Sequence, residues 1–132
     1  MTGRCAYESA LSLINERDSN GEFHQDTQDY EKNLPILLEL CVAQLWYDDC
    51  IVRGVSPKNF RYTSEKIKSL DTELPLHEAT ASLLPYLLAS LLIHEEDLER
   101  AEYYRQLFAS AESTLVTSFT SCRHTSIEDV YA

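Results

Sequence analysis

At 132 residues, 44% of them hydrophobic, with only three glycines and four prolines, the chain is long enough for one self-supporting domain. It is too apolar to be disordered and too poor in turn residues for an all-β fold. Eleven basic against twenty-two acidic side chains leave a formal charge of -11, which opposes sequence-specific nucleic-acid binding and contact with an anionic membrane.

The first predicted helix runs from about Thr2 to Arg17. Tyr7, Leu11 and Ile14 recur at helical spacing, as do Ala6, Ala10 and Leu13. No signal peptide is expected, because Met1 to Ile14 lacks a continuous apolar core. "DSNG" at 18–21 then stops the helix, since Asn20 and Gly21 both tolerate positive φ.

The second helix centres on "NLPILLELCVAQLWYDDC" and carries two apolar stripes. Leu34, Leu38, Cys41 and Leu45 form one; Ile36, Leu40, Ala43 and Tyr47 form the other. Two such faces predict a helix covered on more than one side. It starts either at Asn33, as a cap before Pro35, or near Thr27 with a bend at the proline. Gly54 ends it.

Residues 55–76 form the least helical part. "NFRYT" alternates Phe60 and Tyr62 with polar partners, and "KIKSL" alternates Ile67 with lysines, so a short extended or hairpin insert is expected. Leu74 precedes a proline and is biased to extended backbone. The third helix covers about Leu76 to His94 and should kink at Pro85. Leu83, Leu87, Leu91 and His94 line one side, and Leu84, Leu88 and Leu92 another. The uncharged run Ala79–Ile93 is too short for roughly 30 Å of hydrocarbon, so it reads as a helix buried in protein.

Asp97 caps the fourth helix, Leu98 to about Val116, with a narrower stripe of Leu98, Ala101, Arg105, Phe108, Ala111 and Leu115. A Ser/Thr-rich tail, 119–132, follows, flexible or docked on a neighbour. The expected fold is therefore mainly α: one compact bundle of about four helices over residues 1–118, one helix kinked at Pro85, with an insert around 55–76.

Little in the chain suggests chemistry. "NERDSNGEFHQDT", aligned with Gly21 at the sixth place of a calcium loop, puts Glu16, Asp18 and Asn20 at ligand positions. The twelfth place, where a bidentate glutamate should close the sphere, is Thr27, so the stretch reads as a helix end and a turn. His77 in "HEATA" lacks a second histidine four residues on, and His94 in "LIHEED" fails in the same way. Cys122 and His124 are two ligands only. Cys5, Cys41, Cys50 and Cys122 show no C-x-x-C spacing and read as reduced thiols, with Cys41 and Cys50 as small hydrophobes in a helix. No Gly-rich phosphate loop and no G-x-S-x-G are present. No catalytic residue, cofactor or metal is expected, and the chain reads as a non-enzyme. Trp46, Tyr47, Phe60, Tyr62, Tyr103 and Tyr104 are candidates for a protein interface, where such rings are enriched. Tyr103 and Tyr104 are adjacent, so both cannot face one core.

The order of segments carries a resemblance. "LINERDSNGEF" ends a helix; "LPILLELCVAQLWYD" follows; an insert closes in "IKSLDTELPLHEA"; then come "LLPYLLASLLIHEED" and "AEYYRQLFASAEST". From about Ala6 to Leu115 this resembles the head–tail connector (adaptor) proteins of tailed bacteriophages and prophages. The resemblance implies a virion structural protein, present in the host cytoplasm during assembly. It would form a homo-oligomeric ring, commonly dodecameric, beneath the portal and meet portal and tail-completion proteins. It carries over no catalytic residue. The rival reading is a small acidic cytosolic regulator that binds one protein partner through an exposed fourth helix.

Overall fold

The computed structural model describes residues 1–14, 27–57 and 69–131, with side chains described at 1–14, 30–57 and 69–120. The stretch 15–27, read as a helix end and a turn, and the strand signals around Phe60, Tyr62 and Ile67 therefore lie outside the described residues, Thr27 backbone apart. The described residues form five helices: α1 (Gly3–Leu13), α2 (Thr27–Arg53), α3 (Glu78–Ala81), α4 (Leu84–Leu92) and α5 (Leu98–Tyr131). Among the described residues there is no strand, only one isolated bridge between Thr2 and Glu73. The chain is a mainly α bundle, as its periodicity predicts.

Each helix boundary has a local cause. The Thr2 side chain accepts from the Cys5 N–H at 3.1 Å and caps α1. The earlier of the two possible starts for α2 is the one observed, so Pro35 lies inside the helix. Gly54, at φ 73, ends α2, where the Gly54 N–H reaches the Ile51 carbonyl and the Val55 N–H the Cys50 carbonyl. That pairing is a Schellman closure, and it needs the left-handed residue that glycine supplies without strain. The expected third helix is broken just before Pro85: Ser82 and Leu83 form a turn, and the proline sits in the first turn of α4, where its missing N–H costs nothing. Asp97 Oδ1 accepts from the Arg100 N–H at 3.1 Å and caps α5, as expected.

α5 does not stop near Val116 but continues to Tyr131, through the segment expected to be a separate tail. That segment has no glycine or proline, and extending an existing helix is far easier than starting one.

α4 is the centre of the bundle. Leu84, Leu87, Leu88, Ala89 and Leu92 are all buried, and α1, α2 and α5 all pack on it. The first α2 stripe behaves as expected: Leu34, Leu38, Cys41 and Leu45 are fully enclosed. Ala6, Tyr7, Ala10, Leu11 and Ile14 complete the core from α1. On α5 the expected stripe is met at Ala101 and Phe108 but not at Leu98 and Arg105, and Tyr104 takes the place expected for Arg105. Leu98 and Arg105 are exposed, while Ala101, Tyr104 and Phe108 face the core.

Two α5 side chains fasten α1. The Tyr104 hydroxyl donates to the Leu13 carbonyl at 2.5 Å, and Arg100 Nη2 donates to the Ile14 carbonyl at 3.0 Å. Both carbonyls belong to the end of α1, where no helical N–H remains to serve them. Replacing Tyr104 by Phe keeps the ring packing and deletes this donor. It should lower stability by about 1–2 kcal/mol with unchanged helix content, measured by urea denaturation followed by circular dichroism.

Candidate functional site: an apolar ridge on α2 and its polar inner edge

α2 and α5 run parallel. Near their starts the Tyr30 hydroxyl donates to Glu96 Oε2 at 2.6 Å, and further along Asp48 of α2 faces Glu112 of α5. One side of α2 is thus fixed against α4 and α5. The opposite side carries the second stripe, and here the expectation of full coverage fails. Ile36 is 60% exposed, Leu40 58% and Tyr47 59%, with Ala43 also exposed between them. Their spacing of four, three and four residues puts all four on one line, directly away from the core line. The result is an apolar ridge about 16 Å long.

The interface candidates separate accordingly. Tyr47 belongs to the ridge. Trp46 is half-buried beside it, and its indole N–H is buried without an acceptor. Tyr103 is exposed on α5, whereas Tyr104 is a core residue and no interface candidate. The two rings meet edge to face, centroids 5.4 Å apart. Phe60 and Tyr62 lie outside the described residues. Ile36 and Leu40 were missed as surface candidates, although the double stripe already marked them.

A second apolar feature lies between the α3–α4 junction and α5. It is an open groove of about 600 Å³ with Leu83, Tyr86, Leu107, Ala111 and Leu115 as its less exposed lining. Nothing in the sequence pattern announced it, because it is made by two elements meeting.

The polar groups at the C-terminal end of α2 serve the fold. Asp49 is 1% exposed; Oδ1 accepts the His77 N–H at 2.8 Å and Oδ2 pairs with Arg53 Nε at 2.7 Å. His77 Nδ1 in turn accepts the Ala79 N–H at 3.1 Å, so this histidine caps α3. His94 is exposed. Burial lifts the Cys41 thiol to about 12 and pushes Cys50 upward too, as suits thiols used as small hydrophobes; the charge of Asp49 adds to the Cys50 effect and Arg53 opposes it. Among the described residues no three His, Cys, Asp or Glu side chains group to hold a metal, and no helix is long and apolar enough to cross a membrane.

Asp48 is the exception. It is 7% exposed, and its Oδ2 meets no donor. Burial, then a hydrogen bond to Glu112 and the charge of Glu112, raise its carboxyl to about 7. Two carboxylates can share a hydrogen bond only while one proton is present, so the α2–α5 contact here prefers a protonated pair.

No protein-family model, curated protein or solved structure matches the chain.

The Asp48 shift has a defined sign. The unfolded carboxyl releases its proton near its ordinary value of 3.8, the folded one near 7. The stabilising contribution is complete below the lower value and is lost as pH rises through the upper one. Asp48→Asn keeps a donor for Glu112 and never ionises. Its stability advantage over wild type should grow between about pH 5 and about pH 8, by an amount of order a few kcal/mol, read from urea midpoints at the two pH values.

Proposed function

We propose that this chain is a structural subunit whose work is assembly, and that it forms part of a ring joining head and tail in a tailed-phage particle. The observation that carries the assembly reading is the α2 ridge. Four apolar side chains in one line, three of them large, stand in solvent on a helix whose other face is already fully used. Scattered surface hydrophobics need no explanation, but an aligned set on a rigid element is a contact surface. The order of segments, from "LINERDSNGEF" to "AEYYRQLFASAEST", supports the connector identity. Two long parallel helices, about 40 Å and 51 Å, give the subunit the stiffness that a ring element requires. By the register of Asp48 with Glu112, α5 outlasts α2 by roughly 20 Å, which offers residues 119–131 to a neighbouring subunit or to portal and tail-completion proteins.

The rival reading, a regulator acting through an exposed fourth helix, has weaker support. Leu98 and Tyr103 are exposed on α5, but five residues apart they point about 140° from one another and form no stripe.

The connector reading is tested on particles. Mass spectrometry of phage particles purified from an induced culture of the source strain should find the chain at a fixed copy ratio to the portal protein. Complete, tailed particles that lack it would remove the reading.

A further inference from the structure

Asp48 and Glu112 meet on the core-facing lines of their helices. On α2 the enclosed positions Leu34, Leu38, Cys41 and Leu45 lead, three residues on, to Asp48, which is itself buried. On α5 the buried Ala101, Tyr104 and Phe108 lead, four residues on, to Glu112, which is half-buried. An acid thus takes a core position on each of two helices that face one another. We propose that the two side chains form a proton-operated latch: one proton held between them keeps the second half of α5 against α2, and its loss releases that half. The inference does not depend on the assembly reading.

The surroundings of the pair make the proton its occupant. α3, α4 and α5 all pack on α2. α4 carries no charged side chain, and its one titratable group, Tyr86, lines the groove. α3 brings only Glu78, which is exposed, and the His77 that caps it gives its N–H to Asp49. On α2 itself Asp49 pairs with Arg53. Among the described residues the charge acting on Asp48 is therefore that of Glu112. Nor does a third His, Cys, Asp or Glu join the two to hold a metal ion. Two ionised carboxylates in such a place repel, and one proton turns the repulsion into a hydrogen bond.

The second half of α5 is the part that can move. The first half is fixed by its Asp97 cap, by the bonds of Arg100 and Tyr104 to the end of α1, and by the burial of Phe108. After Phe108 no described side chain of α5 is buried; Ala111, Leu115, Val116 and Phe119 are only half-covered. In the same turn as Glu112 the Thr114 hydroxyl donates to the Ser110 carbonyl at 3.0 Å. Such a bond back to the preceding turn weakens a helix and bends it. The latch therefore lies beside a hinge. Opening there turns Ala111, Thr114 and Leu115, the α5 wall of the groove, away from Leu83 and Tyr86.

Burial sets the direction. The Asp48 carboxyl, raised to about 7 by burial first and by Glu112 second, keeps its proton in acid and gives it up as pH rises through that value. The latch is closed in acid and open above neutrality.

The test measures the distance from α2 to the second half of α5 with a pair of spin labels. They are attached through Gln44→Cys and Thr117→Cys, both exposed positions, in the full chain with Cys5 and Cys122 changed to serine. Cys41 and Cys50 are buried and stay unlabelled. Pulsed electron paramagnetic resonance should give one short distance at about pH 5.5 and a longer, broader one at about pH 8, with cooperative melting of the bundle retained at both. Asp48→Asn and Glu112→Gln each leave an amide donor for the remaining carboxylate, so both should hold the short distance at both pH values. A parent chain whose distance is the same at the two pH values overturns the proposal. A lengthening that persists in both amide variants also overturns it, since the titrating group would then lie elsewhere. So does a parent chain that is unfolded as a whole at about pH 8, because the pair would then support the entire bundle and not one half of α5.

Discussion

The constraint on which everything else depends is the enclosure of α4. This helix has no polar face. Leu84, Leu87, Leu88, Ala89 and Leu92 are buried around its circumference, and its one inward hydroxyl, Ser90, turns back to the Leu87 carbonyl at 2.7 Å. A nine-residue helix of this kind is unstable in water alone, and each buried leucine contributes about 2 kcal/mol once covered. The chain therefore has to cover most of its surface, and α1, α2 and α5 do so, leaving Leu91 exposed and Tyr86 half-buried at the groove. The parallel course of α2 and α5 follows from this arrangement. Both must pass α4 along its length, and the short turn at 93–97 makes α5 the antiparallel neighbour of α4.

Once the three walls are in place, their ends must be tied, and polar groups within and at the edge of the bundle do that work. Arg100 and Tyr104 of α5 close the end of α1. The Arg4 N–H donates to the Leu70 carbonyl at 2.8 Å and its Nε meets Asp71 at 2.8 Å, which fastens the segment after residue 69 to the start of α1. Gly3 lets the start of α1 lie close against α2, since a Cβ there would come within 2.9 Å of Leu38 Cδ1. Asp49 then holds His77, and His77 starts α3. A histidine that looks chemical in the sequence is thus a helix cap, because its Nδ1 already serves a backbone N–H. Asp48 differs in kind: it lies one residue away, yet its partner carries the same charge.

Much of this was legible in the sequence, and the failures are physical. The core stripe Leu34–Leu38–Cys41–Leu45, the stop at Gly54 and the Asp97 cap all rest on interactions within one turn of helix, which residue type and spacing specify directly. The stripe expected on α5 holds at Ala101 and Phe108 and fails at Leu98 and Arg105. Leu98 and Arg105 fit the period, but the aromatic Tyr104 buries more area and can also reach a carbonyl on α1, a long-range partner that no spacing reveals. α5 runs past the end expected near Val116 because the serines and threonines that follow only lower helix propensity and do not stop a helix. The groove depends on how far apart two helices settle and leaves no one-dimensional trace. The ridge did leave one. A helix with two opposed apolar stripes in a chain with only three other long segments has more apolar surface than the chain can cover.

That imbalance links the ridge to the acidity of the chain. An exposed apolar line is an aggregation hazard, and a formal charge of -11 offsets it by keeping copies apart at long range. The two effects act over different distances. Repulsion between exposed carboxylates extends about 8–10 Å at physiological salt, whereas apolar contact begins only when surfaces touch. Copies at low concentration therefore stay separate. In the assembly proposed above, copies would be held close together, the repulsion would already be overcome, and apolar contact would decide how they dock. On that proposal acidity and ridge are two parts of one arrangement, in which the charge delays association and the apolar line gives it direction.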